Sequence, residues 1–144
     1  MKNTENDAII TIKTLQSDGN SDEEMELITE GKFYKSKDKF YILYTENGTD
    51  KSLPRKVMII IEESGVRMIR KGPFATQMNY IVGKTTETIY HTPNGDFMLL
   101  ITTIRIDNSI DENGGVLKLI YRLSIAGEEF YNDVTIRVKN GKGD

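Results

Sequence analysis

Glu46 and Arg70 are the residues whose types and spacing best suit chemistry in this chain. Each closes an otherwise apolar alternating row: Phe40, Ile42, Tyr44 and Glu46 in one, Val66, Met68 and Arg70 in the other. Alternate residues of a strand share a face. If both rows point inward, the two charges can pair near one end of a common interior. An unpaired charge there costs on the order of several kcal/mol, whereas a forked guanidinium–carboxylate pair is tolerable. Such a pair has three readings: it orders the end of the fold, it leaves Arg70 to hold a ligand anion, or it lies at a wet rim.

Further polar candidates sit on the same kind of row. Thr76, Thr88, Thr92 and Thr103 can line an interior with hydroxyls, although threonine is also a plain strand former. Tyr44, Tyr80, Tyr90 and Tyr121 can pack as large core residues or present phenols to a bound molecule. The ligand-binding candidates are therefore Glu46, Arg70, Thr76, Tyr44, Tyr90, Thr92 and Tyr121.

Signals for catalysis are weak. His91 is the only histidine, sits out of phase with Tyr90, and has no nucleophile elbow to serve. Glu62-Glu63 and Asp22-Glu23-Glu24 are adjacent in sequence, so strand neighbours among them point to opposite faces. The stretch from Asp107 to Asn113 lacks the ligand spacing of a calcium loop. No glycine-rich phosphate loop occurs, and there is no cysteine for thiolate chemistry or metal binding. No catalytic residue, metal or cofactor is expected, and a binding protein is favoured over an enzyme.

The elements that must position these residues have a strand period almost throughout. Successive rows are Ala8 to Leu15, Glu24 to Phe33, Phe40 to Glu46, Val57 to Ile61, Val66 to Arg70, Phe74 to Val82, Thr86 to Tyr90, Phe97 to Ile106, Leu117 to Ile125 and Phe130 to Val138. Turn signals separate them: Gly19-Asn20, Ser36 to Asp38, Asn47-Gly48 with a loop from Thr49 to Pro54, Ser64-Gly65, Gly72-Pro73, Gly83-Lys84, Pro93-Asn94-Gly95 and Asp111 to Gly115. Gly31 falls on an apolar face, where it permits a sharp bend. No sustained helical period appears. The expectation is a single all-β domain over residues 1–144, an antiparallel meandering barrel of about eight to ten strands, because closure removes open edges. Residues 1–6 and 140–144 are expected to be flexible. A two-sheet sandwich is the competing fold.

The segment from Phe97 to Ile106 is apolar on both faces. Met98, Leu100, Ile104 and Ile106 are expected to be exposed in a bare barrel, which suggests a homodimer through 97–106. The net charge of −3 and the single short basic patch around Lys35, Lys37, Lys39 and Tyr41 argue against nucleic-acid binding. No apolar run resembles a signal peptide or reaches the roughly 20 residues of a membrane helix, so no membrane partner and a cytoplasmic location are expected.

Tyr41, Tyr44 and Glu46, then Val66, Met68, Arg70 and Gly72, then Met78, then Tyr90, Thr92 and Gly95 together resemble the uncharacterised YwiB-like family of bacterial proteins. Thr103, Tyr121, Asn132 and Ile136 are compatible with its later blocks. The resemblance implies a calycin-like barrel, similar in shape to lipocalins and fatty-acid-binding proteins, and brings no substrate or reaction. By that likeness of fold, the mouth near Glu46, Arg70 and Thr92 is the first place to search.

Four functions follow in order of expectation. The first is a small-molecule-binding barrel for an apolar or amphipathic ligand, which requires a cavity of roughly 300 Å³ or more with a few convergent polar groups. The second is a structural or protein-interaction module. An enzyme and a nucleic-acid binder come after.

Overall fold

The computed structural model describes residues 6–46, 54–72 and 75–141. The expected turn at Asn47-Gly48, the loop as far as Leu53, and Pro73 and Phe74 lie outside them. Ten strands follow one another: β1 (Asn6–Ser17), β2 (Asp22–Ser36), β3 (Lys39–Glu46), β4 (Arg55–Glu62), β5 (Gly65–Arg70), β6 (Thr76–Tyr80), β7 (Thr85–Thr92), β8 (Gly95–Asn108), β9 (Gly114–Ile125) and β10 (Glu128–Asn140). They form one sheet in the order β6-β5-β4-β3-β2-β1-β10-β9-β8-β7, and all its pairings are antiparallel. This is a meander whose first and last strands pair, so the sandwich alternative is excluded.

The barrel has two kinds of closure. The β1–β10 ladder runs without a break from Ala8 opposite Asn140 to Ser17 opposite Tyr131. Between β6 and β7 no ladder forms. There the hydroxyl of Thr86 donates to the Asn79 carbonyl and that of Thr88 to the Gln77 carbonyl, each at 2.7 Å. Threonine side chains thus satisfy carbonyls that a paired strand would otherwise occupy, and the barrel is nearly closed.

Alternation delivers the core. Ala8 and Ile10 of β1, Phe33 of β2, Ile42 of β3, Ile59 and Ile61 of β4, Val66 of β5, Ile101 of β8, Leu117 and Leu119 of β9, and Ile136 and Val138 of β10 are buried together. Ile110, in the segment between β8 and β9, packs against the same cluster. At Gly31, β2 begins to pair with β3 as well as β1. A Cβ there would overlap the Leu43 carbonyl oxygen and strike Ile10 Cδ1, so the coiling of this strand requires glycine.

Two expectations are corrected. Ile106 is not on the outer face: a bulge between Thr103 and Arg105 inserts Ile104 as an extra residue, and the row of Leu99, Ile101 and Thr103 resumes inward at Ile106, opposite Leu119. One added residue reverses the phase of everything after it. Val82 does not extend the inward row of β6; that strand ends at Tyr80 and Val82 is exposed in the following turn. At the ends of the chain Asn6 and Asn140 are strand residues, and the Gly141 amide donates to the Asp7 carbonyl at 2.8 Å; the rest of the segments expected to be flexible, residues 1–5 and 142–144, lies outside the described residues.

Candidate interior binding site

A cavity of about 520 Å³ occupies one end of the barrel. Much of its wall is apolar, with Ile12, Leu27, Met68, Met78, Leu99 and Leu123 contributing from six strands. These side chains face inward because each continues a period-two row that is buried further along its strand.

At this end Glu46, the last residue of β3, meets two arginines. Arg70 grips it as a fork, Nε donating to Oε1 at 3.1 Å and Nη2 to Oε2 at 3.2 Å. Arg55 Nη2 donates to Oε1 at 3.3 Å. Burial works against the Arg70 charge, but the bonds and charge of Glu46 outweigh it and raise the guanidinium's pKa. The expected Glu46–Arg70 pair therefore exists and faces the interior.

Arg55 escaped the sequence reading, although a signal for it was present. It lies two residues before Val57 and so continues the row of Val57, Ile59 and Ile61. Register places it directly across from Glu46. Gln16 is a similar case, continuing Ile10, Ile12 and Thr14 along β1.

Tyrosine hydroxyls supply the other polar groups. Tyr44, Tyr80, Tyr90 and Tyr121 all line the cavity. The Tyr80 and Tyr121 rings meet edge to face with centroids 4.8 Å apart, and the Tyr80 hydroxyl donates to Met78 Sδ at 3.7 Å. Burial pushes the phenols of Tyr44, Tyr80 and Tyr121 upward, against the opposing pull of the Arg70 charge, so they stay protonated and able to donate.

A polar row crosses the wall beside them. Thr103, Tyr121, Asn132 and Gln16 are successive cross-strand neighbours on β8, β9, β10 and β1. Gln16 Nε2 donates to Asn132 Oδ1 at 2.9 Å. The Thr103 hydroxyl and Asn132 Nδ2 are buried without a partner among the described residues, a costly arrangement in an apolar wall.

The remaining candidates lie elsewhere. Thr76 is buried on the row of Val57 and Arg70 but does not line the cavity. Thr88 belongs to the β6–β7 seam. Thr92 holds the turn after β7, its hydroxyl donating to the Gly95 carbonyl at 2.8 Å. It is thus a turn residue and not part of the mouth, because a short threonine at a strand end reaches its own turn before it reaches the interior. His91 is exposed, with Nδ1 2.9 Å from Asp96 Oδ1. Among the described residues no group of acidic or histidine side chains has the arrangement of a metal site.

Comparison with known proteins agrees with this architecture. The model of the family described as "Domain of unknown function (DUF1934)" matches residues 10–137. An uncharacterized β-barrel protein, YwiB of Bacillus subtilis (strain 168), is 24% identical over 131 residues, covering 90% of this chain and 91% of that protein. The crystal structure of the ywiB protein from Bacillus subtilis superposes with a TM-score of 0.86 at 23% identity, over 95% of this chain and 93% of that one. The fold is shared across that distance, and the match spans all but the ends of the sequence: the chain belongs to the DUF1934 family of β-barrel proteins.

Proposed function

We propose that this barrel binds a small, partly apolar molecule in its interior. The observation that carries this reading is the cavity of about 520 Å³, with an apolar wall and a few polar groups converging from different strands. That combination is the usual form of a ligand site. A core meant only for stability is filled at crystal-like density. The likeness to lipocalin-like carriers belongs to the proposal, as does a cytoplasmic setting, which rests on the sequence expectations given above. Among the described residues no helix is long and apolar enough to cross a membrane.

Native mass spectrometry of protein purified from its own host tests the reading. A retained non-covalent adduct, lost on denaturation, is the expected result. Mass equal to the bare chain, together with no heat of binding for a panel of amphipathic compounds, would count decisively against it.

One observation favours a second reading, in which two copies pair through β8. Ile89 and Met98 are cross-strand neighbours on the outer face and both are substantially exposed, as is Ile104 at the bulge. The inward turn of Ile106 makes this patch smaller than the sequence suggests. Sedimentation at micromolar concentration separates the two states: a monomer ends the second reading.

A further inference from the structure

The charged cluster inside the cavity points to the head group of its ligand. Two guanidiniums, Arg55 and Arg70, meet one carboxylate, Glu46. Their three hydrogen bonds to it use three of the roughly ten N–H donors that two guanidiniums carry. Glu26 is the other acidic residue along the cavity. It is an exposed residue at the cavity's edge, beside the half-exposed Met25, and its cross-strand neighbour Lys13 pairs with Glu24 instead. Among the described residues, the three side chains that meet in this cluster, Arg55, Arg70 and Glu46, sum to one positive charge.

The neighbouring phenols can donate as well. Those of Tyr44 and Tyr121 stay protonated and share the cavity with the arginines, while the Tyr80 hydroxyl already donates to Met78 Sδ. A cationic head group would face two guanidiniums, and a neutral one would leave their excess charge uncompensated. A carboxylate offers acceptors only, matches the planar guanidinium fork and neutralises the site.

Building on the binding reading, we infer that the barrel selects amphipathic molecules with a single anionic head group, a carboxylate above all. The head lies against Arg55 and Arg70, and the apolar body lies along Met68, Met78, Leu99 and Leu123. Glu46 both orients the arginines and competes with the ligand for them.

The test is calorimetric titration of the full chain with decanoate, decanol and decylamine. Decanoate is expected to bind at least about tenfold tighter than decanol, as fits a charge-assisted bond in a partly buried site, and decylamine the most weakly. Shortening decanoate should lower affinity about fourfold per methylene removed. Glu46→Gln should tighten decanoate severalfold and leave decanol unchanged. The double variant Glu46→Gln/Arg70→Gln, which leaves no orphaned carboxylate, should bring decanoate down to the level of decanol; circular dichroism confirms that each variant folds. Decanol or decylamine binding as tightly as decanoate would overturn the head-group assignment while leaving the binding reading intact. So would a Glu46→Gln variant that folds and binds decanoate unchanged. If none of the three compounds binds and host-purified protein carries no adduct, the binding reading itself fails.

Discussion

Two carboxylates in this barrel are each held by two cations, and they stand on opposite sides of its wall. Glu46 meets Arg70 and Arg55 inside one end. Glu62, at the far end of β4, meets Arg67 and Lys39 on the outer face. Glu62 is a surface cluster whose competitor is water, and such clusters contribute little. The two carboxylates are similarly exposed, Glu46 at 24% and Glu62 at 17%, but Glu46 adjoins the cavity, where a ligand as well as water can compete for its arginines. The packing differs in the same sense. Near the Glu62 end, Ile59, Ile61 and Val66 pack with Ile10, Leu117, Leu119 and Ile136; the same buried cluster continues to Tyr44, Met68, Tyr80 and Leu99 near Glu46, where these side chains also border the cavity. One alternating pattern therefore yields a buried cluster that stabilises and a cavity beside it that can recognise.

The largest effect should come from making the same truncation at both ends. Leu119→Ala, in the fully buried cluster, should cost about 2–5 kcal/mol in urea unfolding. Leu123→Ala, where the side chain already borders empty space, should cost about 1–2 kcal/mol, because it loses fewer packing partners. Equal losses would erase the distinction between the ends.

Alkaline titration sharpens the same contrast. Burial holds the Tyr44, Tyr80 and Tyr121 phenols above their ordinary value of 10.0. The folded chain keeps those protons while the unfolded chain loses them, so stability falls as pH climbs past about 10. Ultraviolet absorbance should show Tyr44, Tyr80 and Tyr121 ionising only together with unfolding. Smooth ionisation of every tyrosine in folded protein would place water throughout the cavity end.

The seam between β6 and β7 should respond next. Thr86→Val and Thr88→Val each remove a hydroxyl that bridges the strands, at about 0.5–1.5 kcal/mol apiece. Amide exchange should quicken in β6 and stay slow across the β1–β10 ladder. Unchanged protection in β6 would mean that packing alone holds the seam.

The smallest effect belongs to Glu62. Burial tends to raise its pKa, but Arg67 and Lys39 outweigh that and lower it below 4.5. Its contribution is present above that value and lost as pH falls through the depressed one. Glu62→Gln should therefore reduce stability at neutral pH by less than about 1 kcal/mol and flatten the acid limb. A larger loss would make the outer cluster the equal of the inner one.

Much of the candidate site was legible in the sequence. Glu46 and Arg70 stand out because each ends an apolar row, and a charge in that phase must find a partner. Arg55 was readable by the same parity, two positions before Val57, but a loop signal preceded it and hid its strand. Thr92 misled for a local reason: a threonine beside a turn satisfies its own backbone. Ile106 misled because a bulge leaves no mark in composition, and the outward phase of Met98 could not be carried past it.

Residue period by itself pointed to about eight to ten strands, most of their inward faces and an antiparallel meander, because side-chain direction along a strand is fixed by covalent geometry and the separation of apolar from polar surface. Tertiary structure alone decided which rows stand opposite one another and how far each extends. Those choices placed Arg55 across from Glu46, left β6 and β7 joined by threonines, and kept one end open. They depend on strand stagger and side-chain volume summed around the whole barrel, which no single stretch of sequence encodes.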